Sequence, residues 1–183
     1  MNKTIFNEGQ KQDISAILAA KDYRVQLQKA IFAKYPGATI VNVNLNIPGP
    51  IKNNHYLEQI FSRGKRHLEE LFLENDFDFR LVKEINQPSG QEIFYVVGGE
   101  PRLIKEACIV FEDQTELGRL FDADVIVEDQ VKAVSRKDLG QKQRTCFICS
   151  RPAKECARSR RHSVTQMQEY ISRLYFENFN EKG

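Results

Sequence analysis

Leu117-Gly118-Arg119-Leu120-Phe121-Asp122-Ala123-Asp124-Val125-Ile126-Val127 is an apolar, β-branched run interrupted by two acids spaced two apart. Side chains alternate across a strand, so this spacing predicts a strand with Asp122 and Asp124 on one face and Phe121, Ala123, Val125 and Val127 on the other. Two carboxylates that close repel unless a cation lies between them. Mg²⁺ suits the position, because it takes one or two carboxylates and fills its other sites with water and substrate phosphates. Ahead of the pair, Gly118 permits a tight turn, and Arg119 supplies a planar cation matched to phosphate. Taken alone, the stretch also fits a solvated strand face that binds nothing.

A glycine turn, a short apolar stretch and Asp-x-Asp resemble the signature of the nucleotidyltransferase superfamily. That resemblance implies an α/β (α+β) fold with a mixed sheet flanked by helices and its metal-binding acids on a central strand. The chain upstream supplies the elements. Val41, Val43, Leu45 and Ile47 alternate with Asn42, Asn44 and Asn46, which predicts a strand over Ala38 to Ile47 with one core face and one polar face. Pro48-Gly49-Pro50-Ile51-Lys52 ends it, with Gly49 letting the backbone approach a ligand. A helix from about Asn53 to Asn75 follows, its stripe formed by Leu57, Ile60, Phe61, Gly64, Leu68, Leu71 and Phe72. Lys52 at that helix start suits an anion, although a bare connector needs none. Phe77 to Ile85 and Ile93 to Val97 read as a hairpin turning through Asn86-Gln87-Pro88-Ser89-Gly90. After Gly98-Gly99, the residues Leu103, Ala107, Val110 and Phe111 keep helical spacing, with a strand over Ala107 to Phe111 as the alternative. At the start of the chain, Asp13 caps a helix through Ala20, and Tyr23, Leu27, Ile31 and Tyr35 form a second one ended by Pro36-Gly37; both read as packing material.

Downstream, a turn at Glu128-Asp129-Gln130 returns the chain so that Val131 to Ser135 pairs with the acid strand. Cys146, Cys149, Cys156 and His162 then offer three thiolates and an imidazole, enough for a tetrahedral structural Zn²⁺ site, or else a reduced cluster without metal. Ser163 and Gln166 form a capping box for a last helix to Phe179, with Val164, Met167, Tyr170, Ile171, Leu174 and Tyr175 as its buried stripe.

With 183 residues, 41% hydrophobic and 28% charged, the chain suits one domain over 1–183, in which 140–183 is a Cys/Arg-rich extension and helix. No stretch is apolar enough for a membrane span, and the polar first twelve residues carry no secretory signal, so the expected compartment is the cytoplasm. Net charge is only +2, but residues 106–130 hold eight acids against one arginine, while 132–161 hold ten Lys/Arg against two acids. That segregation fits a polyanionic substrate held through a cation, and equally two solvated faces.

Three stretches taken together resemble the holo-citrate lyase synthases, the apo-citrate lyase phosphoribosyl-dephospho-CoA transferases of the CitX type. They are Asn46-Ile47-Pro48-Gly49-Pro50-Ile51-Lys52, then Leu117 to Val125, then Ser135-Arg136 with Arg144-x-Cys146-x-x-Cys149-x-x-Pro152-Ala153-x-x-Cys156-x-Arg158-x-Arg160-x-His162. The resemblance spans about residues 12–175. It implies an enzyme that moves phosphoribosyl-dephospho-CoA from 2′-(5″-triphosphoribosyl)-3′-dephospho-CoA to a serine of the citrate lyase acyl carrier protein, the gamma subunit, releasing diphosphate. The family often has His-Pro before Leu-Gly-Arg. Here Thr115-Glu116 stands there, so no histidine acts at that point. On this reading Asp122 and Asp124 hold Mg²⁺, Arg119 meets the departing diphosphate, and Gly49, Lys52, Gly118 and Arg136 line the substrate. Glu112 or Asp138 is the base, and Arg158, Arg160 and Arg161 dock the acidic carrier. The competing class is a zinc-containing basic module for nucleic acid, against which the near-neutral chain and the acids of the central strand both argue.

Overall fold

The computed structural model describes residues 3–128 and 133–179. Four strands, β1 (Thr39–Leu45), β2 (Phe79–Gln87), β3 (Gly90–Val97) and β4 (Phe121–Val127), form one sheet in the order β2-β3-β1-β4, and each pairing is antiparallel, so the sheet is not the mixed one expected. Five helices flank it: α1 (Ile14–Lys34), α2 (His55–Glu74), α3 (Pro101–Gln114), α4 (Ala153–Ser159) and α5 (Val164–Phe179). Among the described residues no helix is long and apolar enough to cross a membrane.

Register explains how the two sheet faces differ. Val41 and Val43 align with Tyr95 and Ile93 on one side and with Val125 and Ala123 on the other, giving a wholly apolar face. Leu57, Ile60, Phe61, Leu68 and Phe72 of α2, Ile104, Cys108 and Phe111 of α3, and Ile171 and Leu174 of α5 bury it. Gly64 marks the closest approach of α2: a Cβ there would lie 2.1 Å from the Phe121 ring. The opposite face grades from apolar to polar. Val96, Ile40 and Ile126 make one cross-strand row, Phe94, Asn42 and Asp124 the next, and Glu92, Asn44 and Asp122 the third. Ile31 of α1, with Leu27 and Phe32, packs on the apolar end.

Several expectations change. The first two helices are one 21-residue helix, because neither glycine nor proline interrupts Ala20 to Tyr23. The polar face of β1 is graded: Asn42 is 1% exposed, Asn44 is half-buried, and Asn46, just past the strand, is exposed. Helix, not strand, spans Ala107 to Phe111, but Leu103 and Val110 face solvent while Ile104 and Cys108 are buried. Likewise Val164 of α5 is exposed, whereas Ile171, Leu174 and Tyr175 are core. The β2–β3 hairpin forms, but its strands run on through Gln87 and from Gly90, leaving only Pro88-Ser89 as the turn; the α2 stripe is as the pattern predicts, with Asn54 capping α2 through the Leu57 N–H at 3.0 Å.

The segment before α1 packs on α5 and α2. Ile5 is fully buried, its N–H donates to the Ser172 hydroxyl of α5 at 3.2 Å, and its carbonyl accepts from Asn54 at 2.7 Å. Of the return segment expected after β4, Asp129 to Lys132 lie outside the described residues, and Val134 bridges Val125 with a 2.8 Å backbone bond.

Candidate active site

The acids lie on an edge strand and not on the central strand expected: among the described residues β4 pairs on its outer side only through the single Val125–Val134 bridge, which leaves other N–H and C=O groups along it without a strand partner. Side chains take that place. Between the two acids, the Ala123 N–H donates to Glu112 Oε1 at 2.8 Å and the Ala123 carbonyl accepts from Lys105 Nζ at 2.7 Å, both from α3. Arg144 donates to the carbonyls of Phe121 and Arg119, each at 2.8 Å. The edge is thereby closed on one side while Asp122 and Asp124 project together from the sheet face, aligned with Asn44 and Asn42 of β1.

Asp124 is the more enclosed acid. Burial first, and the Asp122 charge second, hold its carboxyl above the usual carboxylate range, with Lys105 and Arg24 opposing. Asp122 lies 3.4 Å from an Arg144 nitrogen. Beside Asp124, the buried Asn42 amide oxygen has no hydrogen-bond partner. Two carboxylates and an unpaired amide oxygen on one face form an oxygen donor set of the kind a hard divalent cation takes. One strand further, Arg24 of α1 donates through Nε (2.6 Å) and a second nitrogen to Glu92 Oε1. The helix read as packing material thus brings a cation to the polar face.

The other expected site residues are placed as follows. Gly118 begins a short 3₁₀ turn (Gly118–Leu120), and a Cβ there would lie 2.2 Å from the Phe111 carbonyl, so the glycine serves the approach of α3. Arg119 directs one nitrogen to Thr145 O and Oγ1, both at 3.0 Å, and to Cys146 O at 3.2 Å. It braces the cysteine segment instead of facing the acids. Gly49 has φ +84°, and its neighbours within van der Waals reach are Gln168 and Val164 of α5, not an open ligand space. Lys52 is half-buried, with Nζ on the Ile47 carbonyl at 2.5 Å; burial, then the charge of Lys21, lowers its pKa.

Arg136 is clasped by Glu112 (2.6 Å) and Asp113 (2.6 and 2.9 Å). Glu112, 2% exposed, therefore spends both oxygens on structure, which removes it as a base candidate. Asp138 accepts from the Ser135 N–H and hydroxyl, which hold its carboxyl below the usual range. Arg158, Arg160 and Arg161 are exposed on and just beyond α4.

Cys146, Cys149, Cys156 and His162 converge, their ligand atoms all within 4.8 Å of one another. Cys149 Sγ lies 3.5 Å from Cys156 Sγ and 3.3 Å from His162 Nε2. Tetrahedral zinc with ~2.3 Å bonds to sulfur sets ligands roughly 3.8 Å apart, so the four residues fit that ion. His162 draws the Cys149 thiol down to about 6, while burial pushes Cys156 up to about 11. The cluster and the acids are mechanically joined, since Arg119 reaches forward to Cys146 and Arg144 reaches back to the start of β4.

Fold and site define an α/β protein whose working face is a carboxylate pair on a side-chain-sealed edge strand, with a Cys₃His cluster stapled beside it. The chain matches the family model described as apo-citrate lyase phosphoribosyl-dephospho-CoA transferase (CitX) over residues 12–178, and it belongs to that family. It is 33% identical to "Probable apo-citrate lyase phosphoribosyl-dephospho-CoA transferase" of Streptococcus pyogenes serotype M5 (strain Manfredo), across 99% of this chain and 94% of that protein. It is 30% identical to the protein of the same name from Vibrio cholerae serotype O1 (strain M66-2), covering 88% and 90%. "Protein CitXG" of Leuconostoc mesenteroides subsp. cremoris is 33% identical over 92% of this chain, which spans 36% of that longer protein.

Arg24, Glu92, Lys105 and Asn42 had no signal in sequence, because their contacts join elements far apart in the chain. Arg144 stood within a quoted motif, but only its position against β4 gives it a task.

Proposed function

We propose that this chain transfers phosphoribosyl-dephospho-CoA from its 5″-triphosphate precursor to a serine of apo-citrate lyase's acyl carrier protein, releasing diphosphate. The observation that carries the reading is the alignment of Asp122 and Asp124 on one face of β4, with the peptide between them gripped by Lys105 and Glu112. The serine oxygen bonds to the α-phosphorus as the α–β bridging P–O bond breaks. The electron pair leaves on diphosphate, and the serine proton passes to solvent. Mg²⁺ held by Asp122 and Asp124, with the Asn42 amide oxygen alongside, supplies neutralisation of the phosphate oxygens. The chain's own residues fix the geometry: α3 holds the strand, and Arg144 holds Asp122.

The nucleotidyltransferase-like type of the fold is supported by the acid strand and its preceding glycine turn. Zinc at Cys146, Cys149, Cys156 and His162 is structural on this reading, since a serine nucleophile supplied by the carrier needs no enzyme thiol. Residues 140–183 belong to one domain with the rest, fastened by Arg119 and Arg144, and the free thiols suit the cytoplasm. Arg158, Arg160 and Arg161 meet the carrier, and neither nucleic acid nor a membrane is a partner.

The deciding experiment is intact-mass analysis of apo carrier protein incubated with this protein, the triphosphoribosyl precursor and Mg²⁺. The carrier gains one phosphoribosyl-dephospho-CoA. An unmodified carrier sinks the assignment.

A further inference from the structure

Beyond Asn44 the acid-bearing face runs into a cleft of about 270 Å³ between α1, the end of β1 and the turn of the β2–β3 hairpin. Lys21 and Arg24, three residues apart on α1, and Lys52 from the loop after β1 all border it. Glu92 is the one acid at its wall and is paired with Arg24, so three cations against one carboxylate leave the cleft at +2. Among the described residues no carboxylate pairs with Lys21 or Lys52. Lys52 is half-buried and feels the charge of Lys21, an arrangement that costs free energy until an anion arrives. Asn44 stands between Glu92 and Asp122 in their cross-strand row, which makes cleft and acid pair continuous.

We propose that this cleft is a diphosphate subsite, with Lys21, Arg24 and Lys52 as its cations. The assignment rests on the transfer reading above and specifies where a second phosphate group of that substrate lies. Two groups of the precursor have this chemistry: the diphosphate that departs, and the diphosphate bridge of its dephospho-CoA part. Three cations in a recess match a diphosphate better than a single phosphate, because charge-assisted bonds to several oxygens offset the repulsion among the cations. Neutral Asn44 and Gln91 at the wall are free of the repulsion that carboxylates would add.

Calorimetric titration of the purified protein with inorganic diphosphate, and separately with dephospho-CoA, both with Mg²⁺, tests the subsite without any carrier. Lys21 is exposed on α1, so Lys21→Glu leaves the fold intact; Lys52→Met is the second variant, its fold checked by circular dichroism. Lys21→Glu weakens at least one probe about tenfold or more. Weakening of inorganic diphosphate alone assigns the cleft to the leaving group, and weakening of dephospho-CoA alone assigns it to the bridge. Unchanged affinity for both in Lys21→Glu, or no binding of either by the unaltered protein, overturns the subsite. Failure of the transfer reading looks different: the carrier stays unmodified while the Lys21-dependent binding persists.

Discussion

Asp122 and Asp124 share a strand face but not their surroundings. Asp122 is held beside Arg144, and Asp124 is sunk where ionisation is unfavourable without a counter-cation. Asp122→Ala or Asp124→Ala is expected to lower transfer at least about a hundredfold, since a lost metal carboxylate removes several kcal/mol of transition-state stabilisation at ~1.4 kcal/mol per tenfold. Circular dichroism should be unchanged, and retention of a tenth of the rate would refute the role. The same residue makes a pH prediction. Its folded pKa is raised, so its favourable contribution is complete below the ordinary carboxylate range and is lost as pH rises through the folded value. Asp124→Asn should therefore unfold at higher temperature than wild type at pH 7 without divalent cation, and the gap should close in acid. Glu112 is the opposite case, a buried charge with every bond used. Glu112→Ala leaves the Ala123 N–H without its partner and Arg136 with Asp113 alone, and should cost about 1–3 kcal/mol in urea unfolding.

At the scale of elements, the sequence was most informative where a pattern is local. The period-2 acids of β4, the alternation of β1, the stripe of α2 and the Ser163–Gln166 box all lie within one element, and each formed as read, whereas the Asn86 to Gly90 turn tightens to Pro88-Ser89 because its flanking residues join the strands. What failed was anything decided by a neighbour. Nothing in β1 tells that Asn42 is buried while Asn44 is not, nor in α3 that Leu103 faces water while Lys105 is buried on an edge carbonyl. The site was legible in the same proportion: the acids and the cysteine spacing could be read, whereas Arg24, Glu92 and Lys105 required the fold. Arg119 illustrates the gap, being the right residue type beside the acids yet aimed at Thr145 and Cys146. Since that bond ties the cysteine segment to the acid strand, zinc should support the site indirectly. Cys149→Ser is expected to lose zinc by metal analysis and to lower the melting temperature; full stability with no metal in the wild type would leave the cluster without that role.

Across the whole molecule, basic charge gathers on the segment that follows β4. Arg158, Arg160 and Arg161 stand exposed on a segment that is itself anchored to the acid strand, which suits docking an acidic protein next to the chemistry. Complementary charge mainly accelerates encounter, so Arg158→Glu should raise KM for the carrier more than for the precursor, and wild-type turnover at low carrier should fall as salt rises. Steady-state kinetics with each substrate varied in turn checks this, and equal effects on both would favour phosphate binding instead. The clasp between Ile5 and Ser172 bears on biosynthesis. At roughly 5–20 residues per second, the 167 positions separating them take the ribosome about ten to thirty seconds to add. Throughout that interval Ile5, and from residue 74 onward the apolar face of α2, have no α5 to cover them. The nascent chain is thus a natural client for chaperones, and slowing translation late in the message should lower the yield of native protein far more than slowing it early.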